Sequence, residues 1–321
     1  MRLEPGFVTR FAPAPTGYLH LGHVVNAAWV WGAARAFGGR VLLRVEDHDR
    51  RRCREEYETA LLDDLDWLGL VPDGASTDEF RNGALPQRQS DAGPRYAARL
   101  AELERAGLVY ACRCSRSDIA RAAVRVAGAD HPAASDQGVE DESDIQAPDG
   151  RELRYPGTCR DLKLDPTSTP ARRVRIGADG AERFDDLKLG PQAQDPDRQC
   201  GDLLVRDRHG QWTYQFAVVV DDLEQGVDVV IRGEDLLAST GRQIRLARLL
   251  GRAQMPRFLH HPLVHLPDGR KLSKSAGDSG LRELRAAGRS ASQVLGLAAQ
   301  LGGLQPDATP IDADRLATLF G

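Results

Sequence analysis

Between residues 8 and 45 the sequence predicts a strand, a helix and a second strand, and this order restricts the chain to an α/β fold. Residues 8–11 have the pattern of a short strand, and two prolines and a glycine within residues 13–17 then force a turn. Residues 24–37 place apolar side chains at helical spacing. Residues 41–45 form an apolar run typical of a buried parallel strand. The unit predicts a Rossmann-like, doubly wound parallel sheet.

The remaining pattern predicts an interrupted nucleotide-binding fold. Apolar spacing predicts helices at residues 55–68, 96–106, 236–250 and most of 281–301, and short buried strands at 203–205, 218–220 and 229–231. Residues 123–152 lose this periodicity and gain small and polar residues, which predicts a flexible surface insertion with an acidic run. We therefore predict a first half of a nucleotide-binding domain at residues 1–109, an inserted middle domain at 110–200, and a second half at 201–260. A loop followed by a short C-terminal helical segment is predicted at 261–321.

Composition narrows the possible functions. The 321 residues contain no run of about 20 apolar side chains and no N-terminal secretory pattern, so we expect a cytoplasmic protein without a membrane span. The net charge of -4 argues against a nonspecific nucleic-acid binder. It argues only weakly against a tRNA enzyme, which needs one local basic face. Five cysteines in such a chain favour metal binding or free thiols over disulfides.

The turn before the first helix carries two histidines, His20 and His23, with Gly22 between them. Imidazole N–H groups beside a helix N-terminus suit the oxygens of a polyphosphate, and a glycine lets a nucleotide approach the backbone closely. We interpret His20, Gly22 and His23 as a site for a polyphosphate. The alternative is a proline turn that caps a helix and carries surface histidines.

A second cluster, Lys-Leu-Ser-Lys-Ser at residues 271–275, lies far downstream. A lysine on a loop can close over a phosphate as a point charge. Alone, this cluster would be interpreted as an exposed basic loop. Its pairing with the histidine turn at the other end of an α/β chain instead favours triphosphate binding by Lys271, Ser273 and Lys274.

These segments resemble the signatures of class I aminoacyl-tRNA synthetases, and their neighbours resemble the glutamyl branch. HLGH and KLSKS are similar to the HIGH and KMSKS motifs. The other matching segments are RFAPAPTG at 10–17, LRVED at 43–47, YQFA at 214–217, VDD at 220–222 and IRGEDL at 231–236. The resemblance implies glutamate activation by ATP with Mg²⁺. It implies that ATP is bound by His20, Gly22, His23, Lys271, Ser273 and Lys274, and that His20, His23 and Lys274 are catalytic.

One departure from full glutamyl-tRNA synthetases concerns length, because these continue for well over a hundred residues past KMSKS whereas this chain stops at Gly321. It is similar to short paralogues that attach glutamate to the queuosine base at the wobble position of tRNA(Asp). We expect these partners and a monomer. The alternatives are a truncated glutamyl-tRNA synthetase that charges the tRNA 3′ end and a non-catalytic tRNA-binding module.

The resemblance also implies a zinc site and a glutamate site. A Cys-x-Cys…Tyr-x-x-x-Cys pattern implies one Zn²⁺ in the middle domain, although the intervening loop is longer than is usual in the family. The implied ligands are Cys112, Cys114, Tyr155 and Cys159, and Cys53 and Cys200 are interpreted as ordinary thiols. For glutamate, a carboxylate suits the α-ammonium and a guanidinium suits the side-chain carboxylate. The implied residues are Arg10, Ala12, Ala14, Glu46, Tyr214 and Arg232.

Overall fold

A computed structural model describes residues 3–127, 153–264 and 280–321. The N-terminal unit follows the prediction: strand β1 (Val8–Phe11), helix α1 (Leu21–Ala36) and strand β2 (Arg40–Leu43). The two strands pair in parallel. The helix begins earlier than predicted, and Gly38 beyond its end takes a φ of 70°, which glycine adopts without strain. The predicted strand–helix–strand unit is confirmed.

The other regular elements are named in chain order. The helices are α2 (Glu55–Leu68), α3 (Thr77–Asn82), α4 (Gly93–Arg105), α5 (Arg116–Ala127), α6 (Pro196–Gln199), α7 (Tyr214–Glu224), α8 (Thr240–Leu249), α9 (Leu281–Ala286) and α10 (Ala291–Leu301). The strands are β3 (Val109–Ala111), β4 (Arg172–Val174), β5 (Glu182–Asp186), β6 (Gly190–Gln194), β7 (Leu203–Arg206), β8 (Val229–Gly233) and β9 (Arg257–His261). Short 3-10 turns lie at Gln89–Ala92, Pro166–Ser168, Glu234–Ser239 and Ala313–Phe320.

Parallel strands form the centre of the fold. In the larger sheet the order is β6-β5-β9-β8, and β8 and β5 both run parallel to β9. The β1–β2 pair lies beside β8, because the Asp228 N–H donates to the Val8 carbonyl at 2.8 Å. Strands β3, β4 and β7 form a separate antiparallel sheet. The predicted α/β fold with a parallel sheet is therefore confirmed.

The sheet pairing crosses the boundary that we predicted near residue 200. Strands β5 and β6 fall inside the predicted middle domain, yet β5 pairs with β9 of the parallel sheet. Strand β7 falls in the predicted second half, yet it pairs with β4 of the antiparallel sheet. The division into domains at these residues stays a prediction.

Two local predictions are wrong. Residues 218–220 are three valines that favour a strand, but they lie inside helix α7. All residues from 215 to 222 are buried, so this stretch of the helix has no solvent-exposed face, and packing overrides the strand propensity of valine. Helix α5 also continues through Ala127, inside the predicted flexible insertion. The remainder of that insertion, residues 128–152, lies outside the described residues.

Helix α1 passes through the larger apolar core, which fixes the position of its N-terminus. Val25, Ala28 and Val30 are fully buried in this core, together with side chains of α10 and of the C-terminal turn. The Trp29 indole N–H donates to the Gly302 carbonyl at 3.1 Å. The histidine turn is thus attached to a rigid helix. Within the three described segments, no helix is long and apolar enough to cross a membrane.

Candidate active site

A cavity of about 520 Å³ opens beside the N-terminus of α1. Its walls come from residues 11–13 after β1, from the first turn of α1, and from residues that follow β8 and β9. These residues lie at the carboxyl ends of β1, β8 and β9. Because β1 and β2 are parallel, as are β8 and β9, the carboxyl ends of each pair lie at the same edge of the sheet. Doubly wound sheets bind their ligands at this edge. The cavity therefore lies where the fold places a nucleotide.

The side chains of His20 and His23 cap the start of α1 by accepting hydrogen bonds from its backbone. The Nδ1 of His20 accepts a hydrogen bond from the Gly22 N–H, and the Nδ1 of His23 accepts one from the His20 N–H, each at 3.1 Å. A ring nitrogen that accepts a hydrogen bond carries no proton, so each neutral ring carries its proton on Nε2. Both rings line the cavity. This arrangement can offer imidazole N–H groups to phosphate oxygens, next to the positive end of the helix dipole.

Gly22 makes room for this cap. A Cβ atom at position 22 would lie 2.9 Å from Cε1 of His20, which is closer than carbon atoms pack. The glycine therefore lets the His20 ring fold back over the start of the helix. Its predicted role in the close approach of a nucleotide stays a prediction.

Arg10 and Glu46 belong to a buried cluster of charges that is centred on Arg44. The fully buried Arg44 guanidinium lies 2.8 Å from an Asp222 oxygen and 3.3 Å from a Glu46 oxygen. Arg10 contacts the same Asp222 oxygen at 3.0 Å. Burial raises the pKa of Glu46, whereas Arg44 and Arg10 act against this rise. For Asp222 these guanidinium groups outweigh burial and lower the pKa. The ion pairs thus hold Arg10 and Glu46 in fixed positions.

Arg232 lies on β8 and donates to neutral acceptors. Its nitrogens are 3.1 Å from Nε2 of His260, 2.7 Å from the Gln243 side-chain oxygen and 2.9 Å from the Thr240 hydroxyl. Burial lowers the pKa of Arg232 and raises that of Tyr214. The charges of Arg232, Glu46 and Arg10 all act on Tyr214, so the structure brings these four predicted residues together.

The remaining predicted residues are placed as follows. Ala12 lines the cavity, and Ala14 is partly buried in the turn before α1. Lys271, Ser273 and Lys274 lie outside the described residues. Their assignment to ATP binding stays a prediction.

The predicted metal ligands converge although residues 128–152 separate their sequence segments. The Sγ atoms of Cys112, Cys114 and Cys159 all lie within 4.8 Å of one another. The Tyr155 hydroxyl lies 3.6 Å from the Cys112 sulfur. A hydrogen bond from the Cys114 thiol lowers the pKa of Cys112. Tetrahedral Zn²⁺ with Zn–S bonds of about 2.3 Å would hold sulfurs about 3.8 Å apart. The donor set therefore fits a zinc ion.

Several buried partners were not identified from the sequence as site residues. They are Arg44, Asp186, Asp222, Thr240, Gln243 and His260. Arg44 and Asp222 lie inside the LRVED and VDD segments. The signal that could have identified them is the presence of charged residues in or directly after a predicted buried strand. His260 and Asp186 gave no signal, because they lie 74 residues apart in the sequence.

Comparison with known proteins gives a consistent result. The family described as tRNA synthetases class I (E and Q), catalytic domain, matches residues 7–290. A protein of Nitratidesulfovibrio vulgaris named glutamyl-Q tRNA(Asp) synthetase is 40% identical over 308 residues, covering 94% of this chain and 88% of the relative. A protein of the same name from Ralstonia nicotianae is 41% identical over 323 residues, covering 97% and 92%.

Solved structures show the same fold. The glutamate-tRNA synthetase of Elizabethkingia anophelis superposes with a TM-score of 0.75 at 24% identity, and covers 97% of this chain. A glutamate tRNA ligase from Elizabethkingia meningosepticum gives 0.74 at 23% identity, also over 97% of this chain. The present chain spans 65% and 64% of those two chains.

Proposed function

The chain belongs to the glutamyl-Q tRNA(Asp) synthetase family of class I tRNA synthetases, and from this membership we propose that it activates glutamate with ATP and transfers it to the queuosine base of tRNA(Asp). The observation that carries the proposal is that two sets of groups lie near the carboxyl ends of the parallel strands. Imidazole donors at the start of α1 line the cavity, and the buried Arg232 lies on the strand that leads into it. The first set suits a triphosphate, and the second suits a carboxylate.

Activation would follow from positioning. The α-carboxylate of glutamate attacks the α-phosphorus of ATP, a new P–O bond forms, and the bond to pyrophosphate breaks. The attacking carboxylate is already an anion, so this step requires no general base. His20 and His23 would donate Nε2–H groups to phosphate oxygens as charge develops on them. Mg²⁺ would enter with ATP.

Glutamate would be recognised by Tyr214 and by the three charged side chains that act on it. Arg10 and Arg232 offer guanidinium groups to carboxylate oxygens, Glu46 offers a carboxylate to the α-ammonium, and Tyr214 offers a hydroxyl. Ala12 and Ala14 contribute small side chains in the turn, where bulk would narrow the site. In the second step a hydroxyl oxygen of the queuosine cyclopentene ring attacks the glutamyl carbonyl carbon. An ester bond forms, the bond from that carbon to the phosphate oxygen of AMP breaks, AMP leaves, and the hydroxyl proton is released to solvent.

The test of activation is glutamate-dependent exchange of pyrophosphate into ATP. The wild type should catalyse this exchange, and Lys274→Ala should lower its rate by about 10²–10³, because one donor to the developing charge is lost. Arg105→Ala is the matched control, since it removes one exposed positive charge from helix α4. No exchange by the wild type would favour the non-catalytic binding module. Wild-type rates in the lysine variant would remove Lys274 from the mechanism.

A zinc ion would fit the cluster of three cysteines and Tyr155. Bound there, it would supply a structural cross-link between the strand end after β3 and the segment around residue 159, and no step of the reaction involves it. The Cys159 backbone N–H already donates to the Tyr155 oxygen at 2.8 Å, which helps that oxygen to act as a ligand.

Metal analysis tests this assignment. The purified protein should contain about one Zn²⁺, and Cys112→Ser should release it, because a hydroxyl is a poor substitute for a thiolate. Cys200→Ser is the control, because Cys200 is a buried thiol that lies outside the cluster. Freshly purified, unchelated protein without zinc would contradict the proposal. Equal zinc content in the two variants would contradict the ligand assignment.

A further inference from the structure

His260 on β9 is fully buried between a carboxylate and a guanidinium. Its Nδ1 lies 2.6 Å from an Asp186 oxygen, and its Nε2 lies 3.1 Å from Nε of Arg232. The carboxylate of Asp186 also accepts hydrogen bonds from the backbone N–H groups of Lys188 and Leu189, at 3.0 Å and 2.9 Å. Asp186, His260 and Arg232 thus form a continuous chain of hydrogen bonds that runs from β5 through β9 to β8.

The partners of His260 determine its tautomer. An ionised carboxylate only accepts hydrogen bonds, so the Nδ1 that faces Asp186 carries the proton. A guanidinium only donates, so the Nε2 that faces Arg232 must hold its lone pair. Only the neutral ring with its proton on Nδ1 satisfies both neighbours. Burial lowers the pKa of His260, which favours this neutral form.

The other partners of Arg232 are also neutral and fixed. Gln243 presents its side-chain oxygen to Arg232, because its amide nitrogen donates to Gln215 at 2.9 Å. The Thr240 hydroxyl occupies a third direction. Among the ion pairs found in the described segments, none joins Arg232 to a carboxylate. A buried cation held by neutral acceptors is compensated when an anionic ligand arrives.

We propose that His260, held in place by Asp186, is a positioning residue that orients the Arg232 guanidinium toward a carboxylate of the substrate. The inference rests on the proposed function, because glutamate supplies that carboxylate. A guanidinium fork binds a carboxylate well only in the correct plane, and the hydrogen bond to Nε fixes this plane from the rear. His260 itself does not contact the substrate.

Two substitutions separate positioning from a purely structural role. His260→Gln places a side-chain oxygen near the original Nε2, so it can still accept from Arg232. His260→Asn places an amide nitrogen near the original Nδ1, so it can still donate to Asp186 but offers nothing to Arg232. If His260 only satisfies Asp186, the asparagine variant should be the milder one. If it positions Arg232, the glutamine variant should be the milder one.

The measurement is glutamate-dependent pyrophosphate exchange, with KM determined separately for glutamate and for ATP. In His260→Asn we expect KM for glutamate to rise about 10- to 100-fold, the usual effect of losing a hydrogen bond to a charged group. KM for ATP should stay within about twofold, because the imidazole donors at α1 are untouched. In His260→Gln the KM for glutamate should remain within about fivefold of the wild type.

The possible outcomes distinguish this inference from the function on which it rests. No exchange by the wild type overturns both. Wild-type exchange with an unchanged or equally raised KM in the two variants overturns the positioning role alone. If either variant fails to fold, ¹⁵N NMR of the wild type tests the positioning role instead. His260 should then be the Nδ1–H tautomer near neutral pH. A proton on Nε2 would contradict the proposal.

Discussion

Glutamate should be transferred to tRNA(Asp) that carries queuosine at the wobble position and should not be transferred to the same tRNA with an unmodified guanine there. The expected difference is nearly all-or-none, because the queuosine ring supplies the attacking hydroxyl and guanine has none. Unpaired bases of an anticodon loop can be splayed into a protein crevice, as single-stranded RNA usually is. The measurement is incorporation of labelled glutamate into the two tRNA preparations.

Unmodified tRNA(Glu) is the second acceptor to test. It should remain uncharged, since the relatives that this chain matches over 94% and 97% of its length carry the queuosine-specific name. Robust attachment of glutamate to the 3′ end of this tRNA would overturn the acceptor assignment and support the truncated glutamyl-tRNA synthetase. Pyrophosphate exchange without any transfer would leave activation intact and contradict the acceptor alone.

The sequence predicted best what local patterns determine. The strand–helix–strand unit at the N-terminus was predicted because its turn residues and apolar spacing act over a few positions. Helix α7 was not predicted, because it is buried on all sides by elements that are distant in the sequence, and hydrophobic periodicity does not report such burial. The same limit applied to strand β5, whose partner β9 follows about 70 residues later.

The candidate site divides in the same way. The histidine turn and the cysteine cluster carry recognisable spacing, and Tyr214 with its three charged neighbours was implied by the resemblance. The structure brings the members of each group together. The groups that hold these side chains in place were missed. Arg44 meets Asp222 across 178 residues of sequence, and His260 meets Asp186 across 74. Such partners are chosen by tertiary packing, so no short motif contains both members.

Arg44→Met should reduce the free energy of unfolding by about 3–5 kcal/mol, the usual result of removing one partner of a buried ion pair. Methionine fills much of the space but leaves Glu46 and Asp222 without the guanidinium between them. Arg10 still contacts Asp222, so the native fold should persist at reduced stability. Arg40→Met is the matched control, because Arg40 is the exposed first residue of strand β2 and Arg44 directly follows the end of that strand.

The loss of stability in Arg44→Met should depend on pH, and the ionisation of Glu46 sets the direction of this dependence. Burial raises the pKa of Glu46 in the folded protein, so the folded state binds a proton more readily than the unfolded state. Without Arg44 this pKa should rise further. At low pH Glu46 is then protonated, so no uncompensated charge is buried. At higher pH Glu46 is ionised, and the free energy of unfolding falls by the full cost of burying its charge without Arg44. Urea unfolding should therefore show a smaller deficit near pH 5 than near pH 8. An equal deficit at both pH values, or one no larger than that of Arg40→Met, would show that the cluster does not depend on Arg44 for charge balance.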